Sequence, residues 1–430
     1  MSDTNPVSHP AWSYPAVLYE MNIRQLTSEG TLAAAERHLF RLRELGVDAV
    51  WLMPLHPIGE INRKGSLGSY YSVRDYYAVN PEFGTFDDFD RFADTAHSLG
   101  LKVLMDWVAN HTSRDARWLA ERPADWYERD GNGEPLVPNG WDDTAKLNYA
   151  NPAVWQGEID AMRFWVERHG VDGFRCDMAM LVPTAFWREA VRQLRGVKRN
   201  IFMLAEAEQT DLLVDAFDAC YAWEFHHLIN DIAQGRRRVW DLRNYIYADR
   251  ERYPRSAMRL FFTSNHDENS WNGSEFQRLG GAAEIMAALT FLLPQGMPLV
   301  YTGQEFGYDH SFAFFDRDPM VDPRPGHFTE LYRLLCQLKH RNAALQAGER
   351  GGSFIEIENN AKDCLMTFVR EVEGNRVLAV MNLSPYTVHA DFNTGIYQGE
   401  YADAMNGNRV AVPCHVEQDM PPWSYRILIR

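Results

Sequence analysis

The 430-residue sequence lacks several features that would assign it to a class at once. No stretch approaches the roughly 18 apolar residues of a membrane-spanning helix, and the N-terminus has no apolar run typical of a signal peptide. Its five cysteines have no C-x-x-C or zinc-type spacing, which favours a reducing compartment. These absences predict a soluble protein of the cytoplasm.

The sequence also has fewer basic than acidic residues. The chain has 43 Lys and Arg residues against 59 Asp and Glu residues, a formal net charge of -16. Nucleic acids and anionic membranes bind through basic patches, so neither is expected as a partner. Glycine-rich phosphate loops of the G-x-G-x-x-G and G-x-x-x-x-G-K-[ST] types are missing, which disfavours an open, doubly wound nucleotide-binding sheet.

Apolar, β-branched stretches are plentiful and alternate with amphipathic segments such as residues 31–46 and 85–100. Eight such alternations predict a parallel (β/α)8 TIM barrel, an α/β fold. The predicted barrel strands are residues 16–23, 47–54, 101–108, 171–178, 201–208, 219–225, 258–265 and 297–304.

Two regions depart from this alternation. The interval between the third and fourth strands is long and rich in turn residues, which indicates a small inserted domain at residues 113–148. After about residue 345 the pattern changes to alternating strands, typical of a C-terminal antiparallel β domain, here a β-sandwich at residues 346–430. The catalytic barrel would then comprise residues 1–112 and 149–345.

Charged residues follow the predicted strands at the end where barrel enzymes carry their catalytic groups. Arg175 and Asp177 are two residues apart in one strand and therefore face the same side. Asp106, Glu206 and the pair His266–Asp267 occupy the corresponding ends of other strands. Such a set of carboxylates suits acid/base and nucleophilic chemistry, with a metal-dependent isomerase or aldolase as the alternative.

Four of these segments together resemble a known family. "DWVANHTS" (106–113), "GFRCDMA" (173–179), "LAEAE" (204–208) and "TSNHDENS" (263–270) are similar, in order and spacing, to the signature segments of the alpha-amylase superfamily, glycoside hydrolase family 13. The flanking segments "YYSVRDYYAVNPEFGTFDDF" (70–89) and "GMPLVYTGQEFG" (296–307) also resemble that family. The likeness runs from about residue 16 to the C-terminus.

The resemblance implies a retaining glycosidase in which Asp177 is the nucleophile and Glu206 the general acid/base. Asp267 would be the third carboxylate, which holds the sugar hydroxyls at positions 2 and 3. Retaining glycosidases need two carboxyl groups roughly 5–5.5 Å apart, one ionised and one protonated. Arg175 is expected to keep Asp177 ionised, because a nearby cation lowers the pKa of a carboxylate.

The remaining candidate residues are expected to bind the sugar or support the site. By resemblance, His111 and His266 contact the sugar at the cleavage point, and Tyr71 stacks beneath it. Asp106 and Asn110 support the base of the site. Trp141 and Trp271 lie in segments that should border the cleft, where sugar contact and packing are equally expected.

Many alpha-amylases hold a structural calcium ion, and this sequence departs from the family at the residues that bind it. Asn110 matches one ligand, but Lys146 stands in place of an aspartate and Leu181 in place of a histidine. An ammonium group would repel a hard cation that needs oxygen ligands. We therefore expect no metal or other cofactor, with Lys146 supplying the positive charge.

The expected activity is hydrolysis of alpha-1,4-glucosidic bonds in maltooligosaccharides or starch. Transglycosylation, of the glucanotransferase or trehalose synthase type, and neopullulanase or oligo-1,6-glucosidase specificity remain alternatives, because "AKLN" (145–148) matches neither known linkage-type motif. From another class, a catalytically silent scaffold is disfavoured by the three carboxylates. Endo or exo action and oligomeric state are left open.

Overall fold

The computed structural model describes residues 9–430, and its strands carry most of the architecture. They are β1 Leu18–Met21, β2 Ala49–Leu52, β3 Lys102–Trp107, β4 His111–Ser113, β5 Thr144–Lys146, β6 Gly173–Cys176, β7 Phe202–Ala205, β8 Ala219–Tyr221, β9 Met258–Phe261, β10 Gly296–Tyr301, β11 Ser353–Glu356, β12 Leu365–Val372, β13 Asn375–Asn382, β14 Val388–Asn393, β15 Gly399–Asp403, β16 Arg409–Val412, β17 His415–Met420 and β18 Tyr425–Ile429.

The helices lie mostly between the strands of the first three quarters of the chain. They are α1 Ile23–Leu26, α2 Leu32–Glu36, α3 Leu39–Leu45, α4 Phe86–Ser98, α5 Arg117–Glu121, α6 Pro152–His169, α7 Thr184–Val197, α8 Trp223–Ala233, α9 Val239–Arg252, α10 His266–Asn272, α11 Glu275–Leu279, α12 Ala283–Leu292 and α13 His327–Arg341. Their ends follow local chemistry: α4 begins at a capping box in which Thr85 and Asp88 exchange hydrogen bonds.

Eight strands close into a barrel in the order β1-β10-β9-β8-β7-β6-β3-β2. The pairs β2–β3, β3–β6, β6–β7, β7–β8 and β9–β10 are parallel. Strands such as β2, β6 and β7 are buried along their whole length, which explains their nearly unbroken apolar sequences. The predicted barrel fold is confirmed.

Charged residues interrupt this apolar barrel where β3 pairs with β6. In the β3–β6 pair, Asp106 lies directly opposite Arg175, and both side chains are fully buried. A buried carboxylate and a buried guanidinium need each other as partners, because an isolated charge in a protein interior is costly. The candidate site is built on this pair.

The chain divides into two compact units. The first unit comprises residues 9–10, 19–221 and 312–323. The second comprises residues 11–18, 222–311 and 324–430. In the second unit, Tyr14 hydroxyl donates to Glu349, the Ala347 amide donates to Tyr14 carbonyl, and the Arg350 guanidinium lies 3.9 Å from the centre of the Tyr14 ring.

Within the first unit, β4 and β5 form a short antiparallel ribbon between the third and fourth barrel strands of the sequence. His111 pairs with Lys146, and Ser113 with Thr144. The ribbon extends the chain directly from the end of β3 and therefore brings the inserted segment back to the strand end that carries Asp106. The exact domain boundaries of this insertion remain a prediction.

The C-terminal strands form antiparallel sheets, as expected. One sheet has the order β11-β12-β13-β18-β15-β16, and β14 pairs with β17 in a second sheet. Apolar residues such as Leu378, Val380, Phe392 and Leu428 share one buried cluster.

Among residues 9–430, no helix is both long enough and apolar enough to cross a membrane.

Candidate active site

The first unit places one guanidinium among three carboxylates. Arg175 Nη1 lies 3.0 Å from Asp106 Oδ1 and 3.2 Å from Asp177 Oδ1, and Arg175 Nη2 lies 3.0 Å from Glu206 Oε2. The Nη2 contact is close but is not aligned as a hydrogen bond. The structure thus brings together the predicted residues Asp106, Arg175, Asp177 and Glu206 at the ends of β3, β6 and β7.

Arg175 stays charged in this site although it is completely buried. Burial alone would lower its pKa, but the negative charges of Asp106 and Glu206 outweigh burial and hold the pKa well above its usual value. Its guanidinium also lies 5.0 Å from the ring centre of Trp51, and its Nε donates to Tyr221 hydroxyl at 3.2 Å. The cation therefore has a fixed orientation.

Asp106 is held by three donors. Trp51 Nε1 and Tyr71 hydroxyl each donate to Asp106 Oδ2 at 3.1 Å, in addition to the bonds from Arg175. Tyr71 is thereby positioned beside the carboxylates, and its ring stacks on Phe314 with an interplanar angle of 20°. Asp106 acts here as a supporting acceptor with little room for another role.

Asp177 and Glu206 retain a small exposed fraction, 7% and 5% respectively, which leaves both carboxylates within reach of a ligand. Glu206 Oε2 accepts a hydrogen bond from the Met178 amide at 2.8 Å. Met178, which directly follows Asp177, has a φ of 42°, in the left-handed region that a side chain rarely adopts. Backbone strain of this kind often accompanies a functional site.

His111 lies beside this cluster and is uncharged at neutral pH. Burial lowers its pKa to about 4, although a hydrogen bond to the Tyr71 backbone opposes the shift. Asn110 Nδ2 lies 3.1 Å from His111 Nδ1. The Trp141 ring lies 5.1 Å from the His111 ring, so the structure places this candidate aromatic next to a candidate sugar ligand.

The loop that carries Trp141 is tied to residues 59–68, which we call the clamp loop. Lys64 Nζ lies 3.2 Å from Asp142 Oδ1 and 3.4 Å from Asp143 Oδ1, and Asn62 Nδ2 donates to Asp142 carbonyl. The same loop reaches the segment that carries Phe314, because the Ser66 amide donates to Asp316 Oδ1. Sequence analysis missed these residues, since no local pattern marks a contact across 80 positions.

The second unit contains the other predicted site residues, His266, Asp267 and Trp271. His266 begins α10, is 1% exposed and has its Nε2 3.3 Å from Asp267 Oδ2. The side chain of Asp267 is 36% exposed and Trp271 is 58% exposed. All three residues therefore lie on one short helix, with the imidazole beside the carboxylate.

A polar network also surrounds this helix. His226 Nε2 lies 3.1 Å from Glu268 Oε2, and Arg278 donates to Thr263 carbonyl and Ser264 hydroxyl. Burial lowers the pKa of His226, and Glu268 opposes that shift. The sequence did not indicate that Glu268 would be the partner of His226; the position of Glu268 directly after Asp267 was the available signal.

The residues expected at the family's calcium position do not fit that ion. Lys146 Nζ pairs with Glu128 Oε1 at 3.0 Å, the Asn110 amide contacts His111, and Leu181 is apolar. These groups offer one uncharged oxygen where calcium needs several. Within residues 9–430, no group of three or more His, Cys, Asp or Glu side chains is arranged to hold a metal ion.

A closed parallel barrel with acidic and aromatic residues at its strand ends is the architecture of barrel enzymes. The family model "Alpha amylase, catalytic domain" matches residues 12–343, and "Alpha amylase, C-terminal all-beta domain" matches residues 356–422. The chain therefore belongs to the alpha-amylase family.

Individual relatives are similar over most of this chain. It is 29% identical over 425 residues to the alpha-amylase MalA of Haloarcula japonica, covering 93% of this chain and 60% of that relative's own length. Two solved structures are also similar. The maltogenic alpha-amylase AmyB of Thermotoga neapolitana is 27% identical with a TM-score of 0.88, covering 96% of this chain and 98% of the other. An alpha-amylase of Lactobacillus plantarum is 29% identical with a TM-score of 0.87, covering 97% and 99%.

Proposed function

We propose that this protein is a retaining alpha-glucan hydrolase that cleaves alpha-1,4-glucosidic bonds in maltooligosaccharides or starch. The observation that carries the proposal is the convergence of Asp177 and Glu206 on the guanidinium of Arg175. The printed names of the relatives, which include alpha-amylases and a maltogenic alpha-amylase, support the substrate class.

In the proposed mechanism, Asp177 attacks the anomeric carbon and forms a covalent bond to the sugar. Glu206 gives its proton to the departing glycosidic oxygen as the old bond breaks. Glu206 then removes a proton from water, whose oxygen attacks the same carbon and releases Asp177. Two inversions at one carbon leave the alpha configuration retained.

The surroundings suit these roles. Arg175 donates to Asp177 and so favours the ionised form that a nucleophile needs. Glu206 also lies beside Arg175, with its Oε2 3.0 Å from Arg175 Nη2, and the proposed first step requires its protonated form. Tyr71, Phe314 and Trp141 provide flat apolar surfaces on which sugar rings stack.

The resemblance assigns the remaining roles. Asp267 would hold the sugar hydroxyls at positions 2 and 3, and His111 and His266 would contact the same sugar. As a neutral imidazole, His111 can donate one hydrogen bond and accept another. Trp271 is proposed as a further sugar contact because its ring is exposed.

Incubation with maltoheptaose tests the proposal, with products separated by chain length. Hydrolysis predicts shorter oligosaccharides only, whose newly formed reducing ends begin in the alpha configuration. Longer products would indicate a transglycosylase, and cleavage of pullulan in preference to maltoheptaose would indicate alpha-1,6 or neopullulanase-type specificity. Unchanged maltoheptaose, with the folded protein present, would contradict an alpha-1,4 hydrolase.

A cytoplasmic location stays part of the proposal. Within the part of the chain that the structure describes, none of the five cysteines forms a disulfide bond and three are buried, which suits a reducing compartment. Fractionation of the source cells and detection of the protein in the cytosolic or exported fraction tests this point directly.

A further inference from the structure

A cavity lies in the second unit, and all of its lining residues belong to that unit. Its volume is about 390 Å³, and it lies where the end of α9, the turn before β10 and the segment 348–353 meet. This volume is within the range of small-molecule sites, about 300–1,000 Å³. We call it the arginine pocket because Arg250 and Arg255 line it, whereas no Asp or Glu side chain does.

The two lining arginines lie at one cavity without a carboxylate partner in the described part of the chain. Both are exposed, and among residues 9–430 neither has an ion pair with a carboxylate. By contrast, Arg236, Arg237 and Arg238 nearby in sequence each pair with an aspartate. The chain has a net charge of -16 and therefore an excess of carboxylates that could pair with arginine. Two guanidinium groups without such a partner at one cavity create a positive potential there, which favours binding of an anion.

A third arginine lies beneath the floor of the pocket. Arg370 is completely buried; its Nη1 donates to Leu292 carbonyl at 2.7 Å and its Nη2 to Gly352 carbonyl at 3.2 Å. Within the described part of the chain it contacts no carboxylate. Burial, together with the charge of Arg250, lowers the pKa of Arg370 to about 9. A buried cation held only by neutral carbonyls is costly, and an anion in the pocket would offset that cost.

Glycine lines the pocket where the buried arginine comes closest. A Cβ atom on Gly351 would lie 3.0 Å from Arg370 Nη2, and one on Gly352 would lie 2.7 Å from the Glu371 backbone. Side chains are thus excluded from this floor, which keeps the guanidinium close to the cavity. Gln295, which also lines the pocket, donates from its Nε2 to the carbonyls of Pro254, Arg255 and Ala257 and fixes the turn that carries Arg255.

We propose that the arginine pocket binds a small phosphate-bearing anion. Guanidinium groups donate pairs of parallel N–H groups that match two phosphate oxygens, and arginine favours this geometry over a single point charge. Two arginines at the rim and a third cation below the floor suit a ligand with two or more negative charges. The site is separate from the carboxylate cluster of the first unit and does not depend on the proposed glucan activity.

Isothermal titration with pyrophosphate and with inorganic phosphate tests this site, at constant ionic strength and pH 7.5. We expect one site per chain, tighter for pyrophosphate, and a pyrophosphate-dependent rise in melting temperature. The double variant Arg250→Gln/Arg255→Gln should bind pyrophosphate at least tenfold more weakly. Both side chains are exposed, so its circular dichroism spectrum and its melting temperature without ligand should match the wild type.

The control is Arg199→Gln/Arg409→Gln, which removes the same charge from two exposed arginines outside the pocket. It should bind pyrophosphate within twofold of the wild type. The proposal is overturned if neither anion binds, if the pocket variant keeps wild-type affinity, or if both double variants weaken binding equally, since the last result would show only a general effect of net charge.

Discussion

The guanidinium of Arg175 contacts three carboxylates, those of Asp106, Asp177 and Glu206. The last two retain some exposure and are therefore the ones that a sugar could reach. Replacing Asp177 by Asn or Glu206 by Gln keeps the side-chain volume but removes the nucleophile or the transferable proton. Turnover of maltoheptaose should fall by about 10³-fold or more in either variant, with unchanged circular dichroism.

The matched control for these variants is Asp215→Asn. Asp215 is exposed and has a φ of 63°, a conformation that asparagine also accepts. This variant should keep wild-type turnover. Near wild-type activity of Asp177→Asn or Glu206→Gln would instead show that the catalytic carboxylates lie elsewhere.

Glu158 on α6 provides a second test at the residue scale, this time of stability. It is completely buried and accepts a hydrogen bond from Trp107 Nε1 at 2.8 Å, and burial raises its pKa to about 8. The folded protein thus holds a proton that the unfolded chain releases near pH 4.5. The resulting stabilisation is fully present below that pH and is lost as the pH rises towards 8.

We therefore expect Glu158→Gln, which cannot ionise, to remove this pH dependence. Relative to wild type, its free energy of unfolding should rise by roughly 3–5 kcal/mol between pH 4.5 and pH 8. Urea unfolding at both pH values measures the difference. Glu167→Gln, an exposed position on the same helix, should show no such change. Parallel pH profiles for Glu158→Gln and wild type would contradict the assignment.

At this scale the sequence predicted part of the site. The two-residue spacing correctly indicated that Arg175 and Asp177 share a face, because alternation is a local property of a strand. It did not predict that Arg175 also contacts Asp106 and Glu206. Those contacts depend on the register between β3, β6 and β7, which places Asp106 opposite Arg175 and which no local pattern encodes.

At the scale of elements, the clamp loop joins two segments that carry aromatic rings. Lys64 binds the carboxylates beside Trp141, and Ser66 binds the segment that carries Phe314. Lys64→Met should loosen Trp141 and raise the KM for maltoheptaose about three- to tenfold, which corresponds to the loss of one aromatic contact. The kcat should change less than twofold, because the carboxylates keep their partners.

Steady-state kinetics separates these two quantities, and Lys362→Met serves as the control. Lys362 pairs with one carboxylate, that of Glu358, in the C-terminal region, and its replacement should leave both constants unchanged. A fall in kcat without a change in KM would contradict the positioning role of Lys64.

All eight barrel strands were predicted in order, because buried parallel strands are apolar throughout and stand out from the helices. Most predicted strands run past the observed ends, by up to four residues, since the residues that follow the strands are mostly buried as well. Residues 31–46 were expected to form one helix but form α2 and α3, whose apolar spacing is continuous across the break. Strands β15 to β17 were not delimited individually, because their outer faces are charged and their apolar runs are short.

At the scale of the whole molecule, a measurement of thermal stability tests whether the protein depends on a bound calcium ion. Because the ammonium group of Lys146 pairs with Glu128 near Asn110, we expect the melting temperature to be unchanged by EDTA. Differential scanning fluorimetry with and without EDTA, and with added calcium chloride at constant ionic strength, measures this. A fall of several degrees with EDTA that calcium restores would contradict the expectation.

The packing of Tyr14 against residues 347–350 has a consequence for biosynthesis. The hydrogen bond from Tyr14 to Glu349 spans 335 positions. Tyr14 therefore cannot make its contacts with residues 347–350 until the ribosome has translated them. At roughly 5–20 residues per second, that wait lasts on the order of 20–70 seconds. During this time the nascent chain exposes apolar surface, and its yield should depend on chaperones more than on the stability of the finished protein.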